Sequence, residues 1–461
     1  MTYLKLILGA ATAIALTACV SEPLPTPEAL VETVTEPEMI VDVHKGDFAE
    51  IQQFVTPGGV SVWLVSEPSI PILSLEMAWR GGETSDPEGL EGLSDLVVYN
   101  MNEGAGDLDS LAFQTRMEEL NMSFGCSTGN DWTSCSSSML TENATDAMDL
   151  IATAFAAPRF DDGPFERFQR ENLIGIKQRE TSPNWLARTA MANARYPDHP
   201  YARQTSVESI SALTPALARE QMRKLMVKDR LLVTAVGAVT PEDLALMIDK
   251  AVEGLPDASE IEAVADISLP AAPADPILVD LPQPQSLVSF SAPGLKRNDP
   301  DFFTAYVLNY TVGGGGFESR LMKTLRVEKG LTYGIYTGLS NSDHLDSWSG
   351  GGQTKNESAG EFLTGIHDEL NQFVADGVTP EELDNAKAYL TGSYALGFDS
   401  NAKIADQMMG VRQEELGIGY FDTRNAKISA VTLDDVNRVA KDYLSPDKFT
   451  FVIVGEPEGI E

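Results

Sequence analysis

From Ala49 the chain runs in short apolar stretches divided by turn residues. A strand reaches the Pro57-Gly58-Gly59 turn, a second covers 60–65 and a third 72–79, before Gly81-Gly82 and Asp86-Pro87 end the run. The period then becomes helical over about 89–102 and again over 108–120. A hairpin follows at 122–140, turning at Asn130-Asp131. Helices are predicted at 143–157, 164–180 and 183–196, and another after Thr214-Pro215. A strand at 231–237 precedes a helix opened by Thr240-Pro241-Glu242-Asp243, where threonine caps and proline suits the first turn.

The order then repeats. Ser286-Leu287 through Asp299-Pro300 to the glycines at 313–316 follows Ser74-Leu75 through Asp86-Pro87 to Gly104. Helix then strand at 431–455 follows 213–237, with the offset drifting from 212 to 218 residues. Between the copies lies an acidic segment rich in Ala and Pro. The expected architecture is therefore two homologous α+β domains, 48–255 and 278–461, joined by a linker at 256–277.

The N-terminus reads differently. Lys5, the apolar run 6–16 and Leu16-Thr17-Ala18-Cys19 resemble a bacterial lipoprotein signal, and the run is too short to span a bilayer. Residues 1–19 are then a signal segment ending at a lipidated Cys19; an ordinary secretory signal without lipid is the other reading. Val20 is not the aspartate of an inner-membrane retention signal, which favours a periplasm-facing outer-membrane anchor in the cell envelope. Residues 20–47, with Pro23, Pro25, Pro27 and Pro37, read as a tether reaching on the order of 80 Å at ~3.1 Å per residue.

Charge narrows the partners. Among 461 residues, 69 are acidic and 33 basic, a net charge of −36. Such a surface repels nucleic acid and anionic headgroups, leaving the lipid as the membrane link.

The densest chemistry lies at 313–337. Four glycines lead into a helical pattern at 317–326, Gly330 suits a left-handed helix stop, and a strand carrying Tyr333 begins at Leu331. Phe317 and Glu318 stand where a phosphate loop needs Lys and Ser or Thr, which excludes nucleotide binding. Arg326 and Tyr333 at such a corner can both donate to one carbonyl gaining negative charge. The plainer reading puts Tyr333 in the inward phase of Leu331 and Ile335, with Arg326 a surface cation.

The string R-L-x-x-x-L-R-x-E-x-G-L-x-Y, from Arg320 to Tyr333, resembles the C-terminal half of the pitrilysin/insulinase family of zinc peptidases. The resemblance implies that Arg326 and Tyr333 hold a substrate backbone beside zinc. It also implies two mainly antiparallel six-stranded sheets, packed with helices and facing each other as a clamp. The family's zinc helix carries G-L-A-H-x-x-E-H; here the matching string is Gly92-Leu93-Ser94-Asp95-Leu96-Val97-Val98-Tyr99, with Gly104 on a later family glycine. Asp95 and Tyr99 replace the two histidines, and Val98 replaces the general-base glutamate. The third ligand should fall near Gly175-Ile176, which offers no donor side chain, and His44, His199, His344 and His367 are scattered. His199 matches a family loop and reads as structural.

The chain is thus expected to bind no cofactor and to cleave nothing alone. In some split members of the family one chain bears zinc and the other the substrate-holding pair. The expectation is a pseudo-peptidase subunit of the second kind, part of a heteromeric metalloendopeptidase. Its partner would be a homologous HxxEH chain holding zinc, and their substrate an unfolded peptide. A non-catalytic binding or scaffold lipoprotein, like the family's respiratory-complex core proteins, is the alternative. In the 122–140 hairpin a two-residue turn sets Cys126 opposite Cys135, predicting a disulfide in an exported protein; two free thiols are the other reading.

Overall fold

The computed structural model describes residues 39–46 and 48–460. The signal segment and Cys19 lie outside the described residues. In the first half the strands are β1 (Val41–Lys45), β2 (Glu50–Val55), β3 (Ser61–Ser66), β4 (Ile72–Arg80), the short β5 (Gly104–Ala105) and β6 (Leu108–Asp109), β7 (Met122–Thr128), β8 (Trp132–Leu140) and β9 (Leu231–Gly237). The second half contributes β10 (Ile277–Asp280), β11 (Gln285–Pro293), β12 (Thr332–Ser340), β13 (Ser347–Lys355) and β14 (Thr450–Gly455).

The two main sheets repeat one topology. The first runs β1-β2-β3-β9-β4-β8-β7 and the second β10-β14-β11-β13-β12. In each, one parallel pair (β3 with β9, β10 with β14) joins otherwise antiparallel ladders. The described strands number seven and five rather than six in each sheet, because β1 and β2 extend the first sheet with no counterpart in the second. Residues 41–45 were expected in the tether, but they pair with β2 from Val41 opposite Phe54 to Lys45 opposite Glu50. That ladder satisfies backbone groups a tether would leave to water.

Each sheet packs its own helices on one face, forming two separate cores. The other face is covered by a helix from the opposite half. The helix Pro183–Arg195 sets Ala187 and Met191 against Leu287, Val452 and Val454 of the second sheet. The helix Asn401–Gln413 sets Ala405, Met408 and Val411 against Trp63, Val65 and Val236 of the first. This exchange explains why β4, β9 and β14 are buried almost throughout instead of alternating. Residues from Met39 onward accordingly form one compact unit. Among the described residues no helix is long and apolar enough to cross a membrane.

Two local expectations change. The helix predicted over 89–102 is only Leu93–Tyr99, because Gly92 is left-handed (φ 96°) and Asn100 closes the end through an Nδ2 bond of 2.9 Å to the Leu96 carbonyl. The helical pattern at 317–326 winds as a 3-10 turn at Gly316–Glu318 and a π-helix at Met322–Glu328. Gly330 follows with φ 66°, the left-handed stop that only glycine takes without strain.

Candidate functional site

Asp86 fixes the start of the helix Leu93–Tyr99. Its carboxylate accepts the backbone N–H groups of Gly92 (3.0 Å), Leu93 (3.0 Å) and Ser94 (2.9 Å), an acid where the helix dipole favours one. From this helix Asp95 faces a cavity of about 450 Å³, with Glu83, Arg179 and Arg188 also in its walls. Burial pushes the Asp95 carboxyl up, and Arg179 opposes the shift. Burial lowers the Arg179 guanidinium, and so does Arg188 nearby. Arg179 is held by a 2.6 Å bond to Thr205 Oγ1.

The other positions of the family zinc string point elsewhere. Val98 is buried in the core. The Tyr99 hydroxyl accepts from Arg167 Nε at 2.7 Å and donates to Glu171 at 3.3 Å, while Arg167 also pairs with Glu103 at 2.5 Å. Gly175 brings no side chain and Ile176 is buried. A zinc ion needs three or four converging donors. Here two carboxylates, Asp95 and Glu83, share the cavity with two guanidinium groups and no imidazole or thiolate, so these residues do not fit the metal. Among the described residues no group of three His, Cys, Asp or Glu is placed to hold a metal ion. His44 meets Asp422 (2.6 Å) and His367 packs on Phe451, each apart from the others. The fold brings His199 and His344 together, with ring centroids 5.9 Å apart, His199 bonded to the Ala265 carbonyl (2.9 Å) and His344 to Asp266 (3.1 Å).

Tyr333 lies on β12, the free edge of the second sheet. Alternation from Ile335 would turn it inward, but the ladder slips between Thr332 and Ile335, where one extra residue bulges. Thr332 Oγ1 braces the bulge, donating to the Gln353 carbonyl at 2.6 Å and accepting from the Gly334 N–H at 3.1 Å. Tyr333 is consequently 84% exposed while Ile335 is fully buried. The inward-phase reading of Tyr333 is corrected by this single inserted residue.

Tyr333 lines a cavity of about 680 Å³ whose floor is the uncovered part of the second sheet and whose wall is the helix Pro183–Arg195. Arg188 and Tyr196 line this cavity and the Asp95 cavity alike. The structure therefore brings Tyr333 and Asp95 to adjoining cavities. Arg326 is outside both linings, its guanidinium 4.4 Å over the exposed ring of Phe317. Sequence reasoning missed Arg188 and Tyr196. The pattern predicts a helix over 183–196, but nothing local tells which sheet it covers. Cys126 lies opposite Cys135 in the β7–β8 ladder, and the two form a disulfide.

Residues 61–207 match the Insulinase (Peptidase family M16) domain, and residues 212–390 match the Peptidase M16 inactive domain. The chain belongs to the insulinase, or M16, peptidase family. It is an M16 member whose described residues lack the metal-binding group. It is 24% identical to the non-peptidase homolog YmxG of Helicobacter pylori, over 84% of this chain and 89% of that protein. It is 22% identical to the uncharacterized zinc protease YmxG of Bacillus subtilis, over 86% of this chain and 96% of that one. The fold superimposes on the crystal structure of a peptidase M16 inactive domain from Pseudomonas fluorescens with a TM-score of 0.82 at 25% identity, covering 89% of this chain and 99% of that one.

Proposed function

We propose that this M16 chain is a pseudo-peptidase subunit that binds an unfolded peptide and complements a homologous zinc-bearing chain in proteolysis. The observation that carries the reading is Tyr333. A phenol that β-alternation would bury is turned out by a bulge, 84% exposed, at the mouth of a 680 Å³ cavity beside the degenerate metal position. A hydroxyl so placed can donate to a peptide carbonyl as negative charge gathers on its oxygen. The same segment leaves Phe317, Val327 and Tyr336 exposed, apolar surface of the kind a partner chain covers. In this reading the partner supplies zinc and the general base, and this chain supplies the cavity floor and donors. Lipid on Cys19 would hold the subunit at the periplasmic face of the outer membrane.

The test is reconstitution with a homologous HxxEH chain and a fluorogenic peptide. Cleavage by the mixture and by neither chain alone supports the proposal. Full activity of the partner by itself refutes it and leaves the scaffold role.

A further inference from the structure

The wall of the Tyr333 cavity contains a guanidinium that pairs with no described residue. Asn184, Ala187, Arg188 and Met191 line it at helical spacing from Pro183–Arg195. Ala187 and Met191 are buried against the second sheet and fix the helix in place. Arg188, next to Ala187, projects where the two cavities meet. Neighbouring arginines are committed: Arg179 to Thr205, Arg203 to the Asp86 carbonyl, Arg195 to Ser291 and Thr450. Arg188 forms no hydrogen bond or ion pair with any described residue. Glu83 senses it only through space.

The second observation is what the cavity omits. The chain carries 69 Asp and Glu, yet none lines this cavity. The floor that β11 and β13 turn away from their core is small and neutral, with Ser289, Ser349, Gly351 and Gln353. The net charge of −36 does not reverse this local sign, because ions screen remote charges beyond about 8 Å at physiological salt.

We infer that Arg188 is the specificity-determining residue of this cavity and selects peptides presenting a carboxylate, as an acidic side chain or a free C terminus. The inference rests on the peptide-binding reading above. A guanidinium offers a carboxylate two parallel charge-assisted bonds; no acid lines this cavity, and Glu83 and Asp95 in the adjoining one form no ion pair with Arg188.

The experiment is fluorescence anisotropy on the purified chain with one labelled peptide in matched forms: central Glu or Gln, and C-terminal acid or amide. We expect wild type to bind a carboxylate-bearing form about tenfold tighter than the form lacking it. Arg188→Gln should erase that preference while retaining the weaker binding of the neutral form, and Arg188→Lys should restore part of it. Preference between Glu and Gln identifies a side-chain carboxylate; preference between acid and amide identifies the terminus. Equal binding of all four forms by wild type overturns the inference and leaves peptide binding intact. Failure of every form to bind overturns both.

Discussion

Arg195 and Arg412 sit at matching ends of the two helices exchanged between the halves, and each bonds to strands of the opposite sheet. Arg195 donates to the Ser291 carbonyl and to Thr450, while Arg412 donates to the carbonyls of Ser61 (3.0 Å) and Val233 (2.6 Å). Burial pulls the Arg412 guanidinium down to about 10, so it stays charged at neutral pH. Its removal leaves acceptors on two core strands short of a donor. Arg412→Met is expected to cost on the order of 3 kcal/mol in urea unfolding. An unchanged midpoint would show that this exchange contributes little to holding the halves together.

The same interface carries a pH dependence. Burial, and then the Asp406 carboxylate on the exchanged helix, push the Glu76 carboxyl on β4 up to about 7 from 4.5. A raised acid stabilises the fold fully below its unfolded value, and that stability is lost as pH rises through about 7. Glu76→Gln is therefore expected to raise stability at pH 8 by on the order of 1–2 kcal/mol, allowing for solvent screening, and to change nothing at pH 4. Melts at both values check the sign; a gain at pH 4 would contradict it.

The hairpin disulfide closes a separation of 9 residues. Restricting the unfolded chain by so short a loop stabilises by about 2–3 kcal/mol. Replacing Cys126 and Cys135 by serine is expected to lower the thermal midpoint in non-reducing buffer and to leave it unchanged relative to wild type in reductant.

At the degenerate metal position, the dialysed chain is expected to hold no stoichiometric zinc by elemental analysis. Asp95→Ala should not alter the metal content. Tight zinc that disappears in this variant would mean that Arg179 and Arg188 move aside to admit a cation.

Local patterns made much of this legible. The strand 231–237, the threonine cap at Thr240, the left-handed Gly330 and the internal repeat all reflect interactions within a few residues or a whole-domain duplication. The degenerate string at Asp95, Val98 and Tyr99 was readable because a helical register fixes each side chain. What escaped depends on long-range placement. One bulged residue reverses Tyr333, and hydrophobic spacing does not distinguish π from α winding at Met322–Glu328. Arg188 acquires its meaning only when its helix crosses to the second sheet. Nor did sequence show that Arg326, seven positions before Tyr333, stacks on Phe317 outside the cavity.

The central claim is that Tyr333 acts on a peptide whose zinc belongs to another chain, and Tyr333→Phe in the reconstituted pair tests it most directly. The substitution removes one hydroxyl from an exposed ring, so folding and assembly should persist, with thermal melts and gel filtration as controls. Loss of one donor to a developing oxyanion costs about 2.7–4 kcal/mol, and turnover is expected to fall by about 10²–10³. Arg326→Ala, measured alongside, is expected to leave turnover unchanged, because its guanidinium stacks on Phe317 outside the cavity. Unchanged turnover in Tyr333→Phe would contradict the account, leaving the tyrosine as a remnant and the chain as a scaffold.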